Sequence, residues 1–162
     1  MPNILQTIVE KNHLQFIDLK DLNWQEAVKI STQPLVKDGS VSEDFYLQII
    51  SCIEKYGPYM VFDHHVAMPH TTENARGVYR TAVSLLISKH LIDFGKDSDG
   101  DRKEANLLFT ISAANPNEHM DNIRALSEIF MNEELLDDLS QATGPNQVLA
   151  AAERFLGQGE PS

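Results

Sequence analysis

Residues Ala105 to Met120 read ANLLFTISAANPNEHM. The first half, Ala105 to Ser112, carries a continuous apolar centre and predicts a strand. The second half opens a helix. Asn115 stands as N-cap, Pro116 at the first helical position and Glu118 at the third, ahead of Met120, Ile123, Leu126, Ile129 and Phe130 at helical spacing. A strand feeding a well-capped helix calls for a sheet with helices packed on it.

Working outward, Tyr79 to Ser88 and Tyr59 to Phe62 also read as strands. Upstream, Asn23-Trp24-Gln25-Glu26 caps a helix that Asp38-Gly39 ends, and a second helix runs from about Ser42 to Tyr56, where Gly57-Pro58 stops it. Downstream, two short helices cover about Asn132 to Gln141 and Gly144 to Leu156. Helices before, strands in the middle and helices after predict an α/β fold with a mixed central sheet covered by helices on both faces.

A chain of 162 residues suits one domain over 1–162, which buries about 70% of its unfolded surface. The Gly/Pro/Ser-containing tail, 157–162, is expected to be mobile. No apolar run approaches the ~20 residues of a membrane span and no signal-peptide pattern opens the chain, so a cytoplasmic protein is expected, not an integral membrane one. The net charge is −11. Residues 1–92 hold 8 basic and 10 acidic side chains, whereas 93–162 hold 5 and 14. An acidic chain without a basic stripe argues against a nucleic-acid partner. Cys52 is the sole cysteine and sits at helical spacing with Phe45, Ile49, Ile53 and Tyr56, the pattern of a structural thiol. The run Phe94 to Asp101, FGKDSDGD, lacks the glycine and glutamate of a calcium loop and reads as a polar turn.

The chemistry concentrates in Val61 to His70, VFDHHVAMPH, with three of the six histidines. A metal site would need His64, His65 and His70 to converge, but in a strand His64 and His65 point to opposite faces. No metal and no cofactor is therefore expected. Asp63-His64-His65 matches the signature of the Asp-His-His phosphoesterases, yet the upstream aspartates form no companion motif. His70 is different: Pro69 has a fixed φ and extends Met68, so the pair should present His70 at a strand edge. A neutral imidazole is a nucleophile near pH 7 and can carry a phosphoryl group, and Thr71 and Thr72 add hydroxyl donors. His119 falls in the first turn of the best-capped helix, where free N–H groups and the helix dipole suit an anion.

Val66-Ala67-Met68-Pro69-His70 resembles the phosphorylation motif of enzyme IIA components of the bacterial phosphoenolpyruvate-dependent sugar phosphotransferase system, in the mannitol/fructose superfamily. The ascorbate-type branch fits best. The likeness runs in order from Trp24–Lys29 through Tyr56–Tyr59, Asp97 and Asp99 to Phe130–Leu139 and Gln147–Leu149. The resemblance implies an enzyme IIA fold and a phosphotransferase that takes phosphate on His70 from the histidine phosphocarrier protein and passes it to a cysteine of enzyme IIB during carbohydrate uptake. It also implies that His119 is the second active-site histidine. An alternative is a regulatory phosphohistidine module of the same fold, and a third reading is a metallohydrolase. Two departures stand out. His65 occupies a position that is usually glycine, where a positive φ would strain it. Glu54-Lys55 stands where mannitol-type members carry an arginine, which leaves Arg76 as the substitute cation for the phosphate.

Overall fold

The computed structural model describes residues 2–72 and 75–157. Along the chain come α1 (Ile4–Glu10), β1 (Leu14–Ile17), α2 (Trp24–Lys37), α3 (Phe45–Tyr56), β2 (Val61–Phe62), β3 (Val66–Ala67), β4 (Ala82–Lys96), β5 (Arg102–Ser112), α4 (Pro116–Phe130), α5 (Glu133–Gln141) and α6 (Pro145–Leu156). The strands form one sheet in the order β1-β4-β5-β3-β2. It is mixed, as expected: β1 runs parallel to β4 and β3 to β5, while β4–β5 and β2–β3 are antiparallel.

The two central strands explain the apolar run of Ala105 to Ser112. Val83, Leu85 and Ile87 of β4 and Leu107, Phe109 and Ile111 of β5 face α1, α4, α5 and α6, whereas Leu86 and Leu108 face α2 and α3. Both faces are buried, so neither strand can alternate apolar with polar residues. Phe109 has no exposed surface and its ring lies 5.5 Å from that of Phe130 on α4, which ties that helix to the sheet.

The helix starts follow from their caps. Asn23, Asn115 and Asn132 each accept an N–H from three residues on, at Glu26, Glu118 and Leu135. The predicted helix from Ser42 starts later, at Phe45, because Ser42 donates its N–H to the Gly77 carbonyl beside the bridge between Val41 and Val78. Its end is as read: Gly57 takes φ +82° as C-cap.

The strand boundaries move. The strand expected over Tyr79 to Ser88 begins at Ala82 and continues to Lys96, with irregular register past Ile87. Of Tyr59 to Phe62 only Val61–Phe62 is strand, because residues 57–60 form a turn in which Tyr59 N–H bonds the Gly57 carbonyl. α1 and β1 went unpredicted, although Asn3 and Gln6 form a reciprocal capping box. In the acidic turn after β4, Asp97 accepts the N–H groups of Asp99 and Asp101, both at 2.9 Å, so the carboxylate organises a polar turn. Gly157 caps α6, and residues 158–162 of the tail lie outside the described residues.

Candidate active site

The parallel pairing of β3 with β5 sets the site. Their register, Val66 to Leu107 and Ala67 to Leu108, brings both strands out at the same end of the sheet. Beyond β3 the chain reaches Met68-Pro69-His70, and beyond β5 it turns into the N-terminus of α4. The carboxyl ends of neighbouring parallel strands are where open α/β sheets place ligands. Pro69 is buried, and its carbonyl accepts the Ile111 N–H at 3.0 Å, which fastens the presenting segment to β5. On the α4 side, the Thr81 hydroxyl accepts the N–H groups of Ala114 and Asn115 at 2.9 and 2.7 Å and shapes the turn before the helix.

Between these segments lies a cleft of about 530 Å³, lined by Met68, His70, Thr71, Thr72, Asn115 and His119 among others. His70 is half-buried, and its Nδ1 lies 2.6 Å from the Met68 carbonyl oxygen. A carbonyl oxygen only accepts, so Nδ1 carries the proton and Nε2 keeps its lone pair. Burial lowers the His70 pKa below the ordinary 6.5; the Met68 bond opposes this, and the nearby His119 adds to the lowering. The result is a neutral imidazole at physiological pH.

His119 is the other histidine of the cleft. Its Nδ1 is buried without a hydrogen-bond partner among the described residues. An unpaired buried N–H would cost about 1–3 kcal/mol, so the favoured tautomer keeps the proton on Nε2 as a donor. The free N–H groups expected at this helix start are fewer than the sequence suggested. Pro116 has none, Glu118 gives its own to Asn115 Oδ1, and His119 gives its own to the Asn115 carbonyl. Asn117 remains.

Thr71 and Thr72 line the cleft, but Arg76 does not. Gln48 on α3 clasps its backbone at both ends, accepting the Arg76 N–H at 2.9 Å and donating to its carbonyl at 2.7 Å. Arg76 thereby lines a neighbouring groove with Gln48, Cys52, Thr71 and Thr72. No lysine or arginine lines the His70 cleft among the described residues.

The other two histidines of the motif lie elsewhere. His64 and His65 occupy the turn between β2 and β3, not a strand, with φ of +66° and +63°. The glycine-like position is therefore left-handed in fact. His64 Nε2 lies 2.8 Å from a Glu133 carboxylate oxygen, and the His65 carbonyl accepts the Asn106 N–H at 3.0 Å. The three imidazoles do not converge. Sequence reasoning missed Tyr59, whose ring centroid is 5.7 Å from that of His70 at 87°. Its position between Gly57-Pro58 and the histidine motif was the available signal.

The family model for "Phosphoenolpyruvate-dependent sugar phosphotransferase system, EIIA 2" matches residues 7–154. The ascorbate-specific EIIA component of Escherichia coli K12 is 33% identical over 132 residues, 81% of this chain and 83% of the relative. The solution structure of the E. coli mannitol-specific cryptic phosphotransferase enzyme IIA CmtB superposes with a TM-score of 0.76 at 29% identity, covering 93% of this chain and 99% of that one. The E. coli complex of mannitol enzyme IIA with phosphorylated mannitol enzyme IIB gives 0.69 at 25% identity, covering 86% and 92%.

Proposed function

Because this chain belongs to the EIIA 2 family of the phosphoenolpyruvate-dependent sugar phosphotransferase system, we propose that His70 is its phosphoryl acceptor and Nε2 the attacking atom. The chain is a phosphotransferase component that relays phosphate from the histidine phosphocarrier protein to enzyme IIB in carbohydrate uptake. The observation that carries the His70 assignment is its hydrogen bond to Met68, which leaves one ring nitrogen free at a cleft.

In the forward step the Nε2 lone pair attacks phosphorus, and the N–P bond of the donor phosphohistidine breaks with its electron pair returning to the donor ring. The proton stays on Nδ1, hydrogen-bonded to the Met68 carbonyl, throughout. In the second step an enzyme IIB thiolate attacks the same phosphorus, and the N–P electrons return to Nε2. Such transfers need alignment and charge stabilisation more than proton shuttling. Thr71, Thr72, the Asn117 N–H and His119 Nε2 supply neutral donors to the phosphoryl oxygens. Arg76, one groove away, can act only on a partner's approach. A site of neutral dipoles suits a carrier that must release its phosphate as readily as it takes it.

We read 1–162 as one enzyme IIA unit working in the cytoplasm. Both core clusters share one sheet, and among the described residues no helix is long and apolar enough to cross a membrane. The test combines the protein with phosphoenolpyruvate, enzyme I and the histidine phosphocarrier protein and maps the phosphate by mass spectrometry. One acid-labile phosphate on His70, lost in folded His70→Ala, is expected. A phosphate retained by His70→Ala sinks the assignment.

A further inference from the structure

Three constraints act on the His70 side chain, and only two belong to its own segment. The Pro69 carbonyl is pinned to Ile111, and Nδ1 is held by the Met68 carbonyl. The third is Tyr59, perpendicular to the imidazole at 87° with centroids 5.7 Å apart. Rings in this edge-to-face arrangement attract through their quadrupoles.

Tyr59 is itself held from several sides. The turn from α3 fixes its backbone, and the Met68 N–H bonds the Met60 carbonyl at 2.9 Å, so the two segments are tied one residue from Tyr59 and two from His70. Tyr56 packs edge-on against it at 6.2 Å, and the Lys55 ammonium lies 5.2 Å from the Tyr56 ring centre. The Tyr59 side chain is not core: the residue is 43% exposed yet locked between Tyr56 and the imidazole. The fold gains little by burying it. What it does is wall one side of the reacting ring.

We propose that Tyr59 is a positioning residue for phosphoryl transfer, holding the His70 ring in the orientation that keeps Nδ1–H on Met68 and presents Nε2 to the cleft. The proposal rests on His70 being the acceptor. A histidine free in water favours the opposite tautomer, with the proton on Nε2, which blocks attack from that nitrogen. A single hydrogen bond to a carbonyl leaves the ring free to swing out and exchange Met68 for water; the wall of Tyr59 closes that route. An edge-to-face pair is worth ~0.5–1.5 kcal/mol, which corresponds to about a two- to tenfold bias in the ring equilibrium.

The experiment uses the full chain labelled with ¹⁵N-histidine, as wild type, Tyr59→Phe and Tyr59→Leu. Two quantities are read: the Nδ1–H to Nε2–H ratio of His70 by ¹⁵N NMR above pH 7.5, and single-turnover phosphoryl transfer to an enzyme IIB cysteine. Tyr59→Leu should lower the tautomer ratio by about two- to tenfold and slow transfer by a similar factor, with the unfolding midpoint little changed. Tyr59→Phe keeps the ring and should restore the ratio to within about twofold of wild type. A wild-type ratio in Tyr59→Leu overturns the proposal, as does a Tyr59→Phe ratio as low as that of Tyr59→Leu. Phosphate mapped in the wild type to a residue other than His70 is a separate result that removes the acceptor assignment before any Tyr59 variant is compared.

Discussion

His70 Nδ1 and the Met68 carbonyl oxygen lie 2.6 Å apart, a hydrogen bond between residues separated by one proline. Pro69 makes it possible: its fixed φ and missing N–H turn the chain so that the side chain meets the carbonyl two residues back. The proton on Nδ1 is thereby assigned by an acceptor that cannot donate.

The first prediction is regiochemical. Phosphate should reside on Nε2 of His70, because Nδ1 is occupied in the resting protein. Phosphorus–nitrogen couplings in a ¹⁵N-histidine-labelled phosphoprotein distinguish the two nitrogens. Phosphorylation on Nδ1 would contradict the geometry.

The second concerns pH. Burial, aided by His119, lowers the His70 pKa, so phosphate acceptance should persist below pH 6.5 before protonation removes the lone pair. Removing His119 takes away the neighbouring ring that adds to this lowering and opens the cleft to water. Both effects raise the His70 pKa toward 6.5, so the acid limb of His119→Ala should move to higher pH. Onward transfer should also slow by about 10-fold or more, as for loss of a donor to developing charge. An NMR titration of His70 in the two proteins measures the shift, and a shift to lower pH would refute the coupling.

The third concerns the β2–β3 turn. His65 holds φ +63°, a conformation that costs a side-chain-bearing residue about 1 kcal/mol and glycine little. His65→Gly should raise stability by about 0.5–1 kcal/mol, read as a higher denaturation midpoint. Labelling at His70 should be retained, because the turn is outside the cleft. A clear loss of stability would mean that the imidazole contributes more than its backbone strain costs.

The fourth tests a strut far from the cleft. His13 is buried, with Nδ1 3.0 Å from the Val83 carbonyl and Nε2 2.6 Å from Asp38 at the end of α2. Asp38→Ala strands a buried nitrogen and should cost about 1–3 kcal/mol of stability, without altering the phosphorylation site. Burial alone would raise the Asp38 pKa, but bonds from Ser40 and His13 outweigh it and lower the pKa below 3.8. Its folded pKa being depressed, this stabilisation is complete above the unfolded pKa and is lost as pH falls through the folded one. The wild-type advantage over Asp38→Ala should therefore shrink in acid denaturation below about pH 4. An advantage that stays constant there would count against the pair.

Much of this molecule was legible in the residues because its signals are local. A cap is a contact over three residues, so Asn23, Asn115 and Asn132 declare their helices without help from the rest of the chain. Gly57-Pro58 likewise declares the end of α3, and the Asn3–Gln6 box was equally readable though unread. The stiff Pro69 lead-in singled out His70 for the same reason. What the chain could not declare locally was pairing. Only the parallel registers of β1 with β4 and β3 with β5 decide which short segments become strands, since four residues or two lack a period of their own. Arg76 was misplaced because the Gln48 clasp joins residues 28 apart in sequence. Tyr59 was overlooked because its contact with His70 exists only after the α3 turn and the β2–β3 hairpin have folded against each other. Sequence alone determined five of the six described helices, the candidate acceptor and the family resemblance; tertiary structure decided which groups share its cleft, because side-chain proximity across strands depends on register, a property of pairs of segments.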